Sequence, residues 1–304
     1  MNDFFKKYLF IIVLLAVMIA WAIFSLLGHG GVPVHGTLPP INAANLCLLL
    51  VIGLIAGLLG GMIGTGGCSV MLPAIHFWMG YPAPVAVGTT LFAVIFTAVS
   101  GGYGHLVRKN LDYRATLWLG LLGILGVVLG SWLFTLLLKE TALLGVILGI
   151  VFLWPAVRMI IEGINVRRNG KAGPEEQVVP GSEGGLGVFG FIVGILTGVV
   201  GLGGGYALVP GLIYLFGAPV YITMGTSLAV MIPLAVVGGV IKLVQGYVAL
   251  SAGLLLATGT IVGAQFGAAV MKKISPNILK LIFGVYFLYV SLKFILGYFG
   301  IAIW

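Results

Sequence analysis

Charged residues are scarce in this chain. Only 7% of its 304 residues are Asp, Glu, Lys or Arg, and 61% are hydrophobic. A soluble domain of this length needs far more surface charge, so the composition predicts an integral membrane protein. Apolar stretches of about 20 residues recur along the chain, each long enough to cross a bilayer as a helix. The alternating pattern of barrel strands is absent, which favours a helical bundle.

Acidic residues are the rarest charged class. The seven acids fall at the ends of the predicted membrane segments or in loops, and none lies inside one: Asp3, Asp112, Glu140, Glu162, Glu175, Glu176 and Glu183. A cation substrate usually requires an intramembrane carboxylate, as does proton coupling through a buried acid. The sequence therefore disfavours a cation substrate, and it leaves histidine or the substrate itself as the carrier of any coupled proton.

Cysteine is almost absent as well, with only Cys47 and Cys68. Their spacing does not suggest a metal site, and we expect no disulfide. The chain also lacks paired intramembrane acids and a His-Glu-x-x-His motif, so we expect no enzyme, catalytic residue, metal or cofactor. The net charge of +8 lies between apolar segments, which argues against a nucleic-acid partner and for a role in membrane orientation.

The most informative positive feature is an internal repeat. Residues 53–130, shifted by 137 positions, align with residues 190–267 without a gap, and 27 of these 78 positions are identical. Twelve of the identities are glycines. A membrane protein with two copies of a unit that contains a broken helix is typical of transporters whose binding site lies between the copies.

The pattern predicts an all-α bundle in four parts. Residues 1–40 form an N-terminal transmembrane helix and an outer loop, 41–161 the first repeat, 162–185 a cytoplasmic linker, and 186–304 the second repeat. Each repeat contains a glycine-broken hairpin and three spanning helices. The predicted helices are 8–27, 45–63, 67–80, 84–107, 114–137 and 141–161, then 186–200, 204–217, 219–244, 249–271 and 276–299.

Basic residues predict the orientation. With the N-terminus in the cytoplasm and each broken hairpin returning to its own side, twelve of the fifteen Lys and Arg residues are cytoplasmic. Because the hairpin is followed by three crossings, an odd number, the second repeat must be inverted relative to the first. We therefore expect two inverted-topology repeats in a multi-pass protein of a bacterial inner membrane.

The glycine breaks are the first candidate site. The first break reads Gly64-Thr65-Gly66-Gly67, and the second carries Gly201, Gly203, Gly204 and Gly205. So many glycines make a continuous helix unfavourable, at about 1 kcal/mol each relative to Ala. A helix that restarts after such a break directs free N–H groups into the protein, which favours an anion. Packing alone is the alternative explanation.

Two further pairs of equivalent polar positions are candidates for substrate binding. Thr89 and Thr90 correspond to Thr226 and Ser227, whose hydroxyls could bind an oxyanion or bond to their own helix. His105 corresponds to Lys242, and these side chains could meet an anion or extend to the membrane interface.

These motifs together resemble the TauE/SafE family of sulfite and organosulfonate exporters. The resemblance rests on Gly64, Gly66, Gly67, Pro73, Gly88 and Thr89, and on their copies Gly201, Gly203, Gly204, Pro210, Gly225 and Thr226, and covers roughly residues 45–299. One departure is Cys68, which stands where the second copy has Gly205.

The resemblance implies a secondary transporter of small sulfur-containing anions such as sulfite or sulfoacetate. An anion channel, or a carrier of another substrate class, stays open as the alternative. The partners we expect are a small anion and the lipid bilayer, with a homodimer as an open alternative.

Overall fold

The computed structural model describes residues 2–27, 34–137, 141–164, 178–271 and 276–299, which contain helices and no strand. The first copy follows an N-terminal helix, and its five helices are each matched in the second. The helices are α1 (Asn2–Leu26), α2 (Ala43–Ile63), α3 (Cys68–Pro73), α4 (Ala83–Val107), α5 (Tyr113–Leu137), α6 (Thr141–Ile164), α7 (Glu183–Val200), α8 (Gly205–Tyr214), α9 (Val220–Val244), α10 (Leu250–Val270) and α11 (Pro276–Tyr298).

Seven helices within the described residues are long and apolar enough to cross a membrane: Tyr8–Leu26 of α1, and α2, α4, α5, α7, α9 and α10. This confirms the prediction of an all-α, polytopic membrane protein. With Cys68–Trp78 counted as one helical stretch, the helix bounds agree with the predicted ones within three residues, except that α1 begins at Asn2 and not at residue 8. α6 extends to Ile164 and α7 begins at Glu183, so both helices extend into the predicted linker, and residues 165–177 lie outside the described part.

Glycine ends the first half of each broken helix. Gly64 and Gly201 have left-handed backbone angles and donate their N–H groups to Gly60 and Thr197, each at 2.8 Å. Each short helix then begins after the third left-handed glycine of its break, Gly67 before α3 and Gly204 before α8. Only glycine adopts this conformation without strain, so the repeated glycines create the two breaks.

Proline modifies the first short helix. Pro73 ends α3, and the chain continues as a single π-helical turn, Ala74–Trp78. Pro73 cannot donate the usual backbone hydrogen bond, and a wider turn accommodates this loss. The helical stretch Cys68–Trp78 thus corresponds to α8.

Helices of one copy pack against helices of the other. α2 packs most extensively against α10, and in the equivalent pair α7, the counterpart of α2, packs against α5, the counterpart of α10. Gly53, Gly57 and Gly61 face the α10 backbone at Leu256, Thr260 and Ala264 in turn, so α2 and α10 run parallel. Gly190, Gly194 and Gly198 face α5 in the same way. These small residues allow close backbone contact, as their spacing predicts.

The equivalent helices α4 and α9 pack side by side in the centre. Gly101 of α4 faces Leu228 near the start of α9, whereas Gly239 near the end of α9 faces Phe92 near the start of α4. The two helices are therefore antiparallel. α6 and α11 pack mainly against each other, and α1 lies against α10.

Candidate functional site

The two glycine breaks meet in the middle of the bundle. Side-chain atoms of both Val94 and Met231 lie against Gly66 and Gly203, so a methyl group at either glycine would force these side chains to move. Gly205 lies directly against the backbone of Thr65. The breaks, which are separated by 137 residues in sequence, thus form one central contact.

Thr65 carries an unpartnered hydroxyl at this contact. Its side chain is 3% exposed, and Oγ1 has no hydrogen-bond partner among the described residues. Leaving a buried hydroxyl unpaired costs about 1–3 kcal/mol. An oxygen-bearing ligand between the breaks would recover that cost.

Other polar groups at the breaks hold the backbone. Ser227 Oγ donates to the Gly64 carbonyl at 2.8 Å, and Cys68 Sγ lies 3.5 Å from the Thr90 carbonyl and 3.6 Å from that of Gly201. Ser227 belongs to the second copy and contacts the first break, whereas Cys68 belongs to the first copy and contacts the second break and α4. The carbonyls of Gly64 and Gly201, which lie at the two breaks, thereby gain side-chain partners from the other copy.

The threonine pair caps helices. Thr89 Oγ1 accepts from the Ala249 N–H at 2.9 Å, before α10, and Thr226 Oγ1 accepts from the Asp112 N–H at 3.0 Å, before α5. Accepting these bonds leaves each hydroxyl hydrogen available as a donor. Thr90 instead bonds back to the Ala86 carbonyl of its own helix, at 2.8 Å, as the alternative interpretation expected.

His105 lies beside the first break. Its side chain is fully buried, and Nε2 is 2.9 Å from the Gly61 carbonyl. Because a carbonyl only accepts, Nε2 carries the hydrogen, and Nδ1 is left without a partner among the described residues. The His105 side chain is therefore buried beside the first break and does not extend to the protein surface, and its role in binding stays a prediction.

Lys242 is connected to the second break through intermediate contacts. Val87 contacts Gly201, the adjacent Gly88 contacts the Tyr247 carbonyl, and the Tyr247 N–H bonds the Lys242 carbonyl at 3.0 Å. The Lys242 side chain is fully buried, and Nζ lies 3.1 Å from the centre of the Phe134 ring. Nζ has no hydrogen-bond partner and no carboxylate within ion-pair distance among the described residues.

The candidate residues therefore form a row and not a single cluster. At the centre, the contact is formed by Thr65, Gly66, Gly203 and Gly205. His105 bonds the Gly61 carbonyl just before the first break, and the Lys242 amine lies over the Phe134 ring of α5. Gly67 and Gly204 pack back against α2 and α7, where Gly67 contacts Ala56 and Gly204 lies against Thr197. Gly64 and Gly201 contact Met224 and Val87, at the start of the antiparallel central helices.

Sequence reasoning missed the two apolar side chains at the centre. Val94 and Met231 occupy equivalent positions, three residues after Leu91 and Leu228 of the repeated Gly-Thr-Thr/Ser-Leu motif. Because these two residues differ in type and neither is polar, they were not among the candidates for binding. The signal that could have identified them is that they occupy equivalent positions in the two copies.

Comparison with known proteins gives a consistent result. The chain is 26% identical over 259 residues to the probable membrane transporter protein YunE of Bacillus subtilis, covering 77% of this chain and 92% of that protein. It is 28% identical over 253 residues to the probable membrane transporter protein MJ0441 of Methanocaldococcus jannaschii, covering 77% and 89%. No solved structure matches the chain. The model of the sulfite exporter TauE/SafE family matches residues 49–294, most of the chain, which therefore belongs to that family of membrane transporters.

Proposed function

We propose that this transporter carries small sulfur-containing anions, such as sulfite, sulfoacetate or related organosulfonates, as a secondary carrier. The observation that carries the proposal is Lys242, whose side-chain amine is fully buried and faces no carboxylate among the described residues. Burying an uncompensated ion costs several kcal/mol, and the contact with Phe134 returns about 2 kcal/mol. An anionic substrate would supply the missing counter-charge.

The chemistry of the other polar groups supports an oxyanion. Thr65 has an unpartnered hydroxyl, and Thr89 and Thr226 each keep a hydroxyl hydrogen to donate. Sulfite and sulfonates present three oxygens that accept such bonds. The family description names a sulfite exporter, whereas the names of the two relatives above do not specify a substrate.

Alternating access would arise from movement of one repeat against the other. The antiparallel packing of α4 against α9 is the arrangement that inverted repeats require, with the two breaks between them. In the bacterial inner membrane, with the N-terminus in the cytoplasm, the first break would open toward the outside and the second toward the cytoplasm. His105 and Lys242 would then each meet the anion on one side of the centre.

Uptake into proteoliposomes tests this proposal. Radiolabelled sulfite, sulfate and sulfoacetate would be compared with and without a pH gradient, for the wild type, Lys242→Met and the charge-preserving control Lys242→Arg. We expect saturable uptake of a sulfur anion, with Vmax/KM at least about tenfold lower in Lys242→Met and near the wild-type value in Lys242→Arg.

Two results would contradict the proposal. Absence of flux for all three anions under either gradient would remove the substrate class. Flux that does not saturate, together with single-channel conductance, would identify a channel instead of a carrier.

A further inference from the structure

The two short helices end in equivalent aromatic residues. Phe77 lies in the π-helical turn after α3, and Tyr214 is the last residue of α8. The two positions are separated by 137 residues, which is the length of the repeat. Each aromatic is thus at the far end of a short helix that begins at a break. A displacement of either ring would move the helix that forms one side of the central contact.

A cation from α11 contacts the first ring. Lys293 Nζ lies 4.7 Å from the centre of the Phe77 ring and 3.2 Å from Tyr289 Oη on its own helix. Phe294, the next residue of α11, packs against Phe77 with ring centres 4.9 Å apart. α11 belongs to the second repeat, so it holds the end of a helix in the first.

A cation from α6 contacts the second ring. Arg158 Cζ lies 5.0 Å from the centre of the Tyr214 ring. Tyr214 Oη also donates a short hydrogen bond to the Glu162 carboxylate, one turn further along α6. α6 belongs to the first repeat and is the counterpart of α11, so the two contacts are reciprocal although Arg158 and Lys293 are not at equivalent positions.

α6 and α11 form a unit of their own. They pack against each other along their length, with Ser291 Oγ donating to the Gly149 carbonyl at 2.7 Å and with Gly163 and Gly284 allowing close contact. Among the described residues, these two helices pack only sparsely against the others, and α6 does so to a similar extent against α4, α5, α7 and α8. The contacts at Phe77 and Tyr214 join this pair to the ends of the two broken helices.

We propose that α6 and α11 form an arm that positions both broken helices, with Lys293 and Arg158 as its positioning residues. The proposal rests on the alternating access proposed above. Phe77 leads into the start of α4 and Tyr214 into the start of α9, and these helices are antiparallel. The contact of Lys293 with Phe77 and the contact of Arg158 with Tyr214 are consequently at opposite ends of the bundle. One arm therefore links the short helix on the outer side to the short helix on the cytoplasmic side.

This arrangement has a directional consequence. Releasing Phe77 frees the short helix of the first break, which favours opening at the outer end. Releasing Tyr214 favours opening at the cytoplasmic end. A merely structural role for either cation would lower the stability without biasing the two faces in opposite directions.

Cys68 provides a native reporter. It lies in the first break, is fully buried, and becomes the chain's only cysteine once the exposed Cys47 is changed to Ser. In proteoliposomes of known orientation, the rate at which a membrane-impermeant methanethiosulfonate modifies Cys68 would be measured from each face. We expect Lys293→Met to raise the outer-to-inner ratio of rates about tenfold and Arg158→Met to lower it about tenfold.

Matched variants separate the cation–ring contact from folding effects. Lys293→Arg and Arg158→Lys preserve the cation and should leave the ratio within about twofold of the wild type. Phe77→Leu should change the ratio in the same direction as Lys293→Met, and the effects of the two should be less than additive, because both remove the contact between Lys293 and the Phe77 ring. All variants would first be checked for a single monodisperse species in detergent.

Ratios that stay at the wild-type value in both Met variants, or that change in the same direction, would overturn the arm. So would a Cys68 that resists modification from both faces in every protein, since the breaks would then never open. If the ratios shift as expected while the wild type carries no sulfur anion, the arm stands and the proposed substrate falls.

Discussion

Individual hydroxyls at the centre have different tasks that the sequence does not distinguish. Thr90 and Ser227 are equivalent, yet Thr90 bonds to its own helix and Ser227 holds Gly64 across the repeat interface. Which acceptor each hydroxyl bonds depends on the packing of a helix that is distant in sequence. The motif therefore predicts that these hydroxyls lie near the breaks, but it does not predict which group each one bonds. Thr65, whose counterpart is Leu202, has a hydroxyl at the central contact without a partner among the described residues.

Replacing Thr65 with Val should separate stability from transport. Val keeps the shape of the side chain and removes an unpaired buried hydroxyl, so the free energy of unfolding should stay level or rise by about 1 kcal/mol. Transport should fall, because the anion loses a donor. Unfolding in detergent micelles and Vmax/KM for the sulfur anion would be measured on the same preparation.

Thr197→Val is the control for this change. The Thr197 hydroxyl already bonds the Val193 carbonyl at 2.8 Å, so its loss should cost little in transport. Equal transport by the Thr65→Val variant and the wild type would exclude Thr65 from the anion path.

Broken helices and glycine stripes are the elements that the sequence predicted well. Both depend on local conformation and on spacing along one helix, which a repeat makes visible twice. The sequence did not predict that α2 packs against α10 and α7 against α5, because any two small-residue stripes could in principle pair. Lys242 on Phe134 was likewise beyond prediction, since it depends on how α5 and α9 meet.

Two glycines of α7 test the packing of these stripes. Gly194 lies against the Gly123 backbone of α5, so an Ala methyl group would force the helices apart and should destabilise the protein by about 1–3 kcal/mol. Gly184, in the first turn of the same helix, has open space around it, and Ala there should be neutral or stabilising by up to about 1 kcal/mol. The midpoint of unfolding in detergent measures both, and equal midpoints would argue against close α5–α7 packing.

At the scale of the whole molecule, the contacts of the two copies are reciprocal. α2 meets α10 as α7 meets α5, and α4 meets its own counterpart α9 in antiparallel orientation. Each copy therefore packs its helices against those of the other, and the central contact requires the break of both copies. This reciprocity supports the inverted repeats that the charge distribution predicts, although charges alone give no contact between them.

Labelling of two equivalent turns tests the inversion directly. Gly80 and Gly217 follow the two short helices, are exposed, and have no heavy atom within 4 Å of an added Cβ, so a cysteine fits at either position at the cost of its positive φ. In a Cys47→Ser background, a membrane-impermeant maleimide added to intact cells should label Gly80→Cys. Gly217→Cys should react only after the membrane is opened, because inversion places it in the cytoplasm. Labelling of both cysteines in intact cells would place the two turns on one face, which two copies related by inversion cannot do.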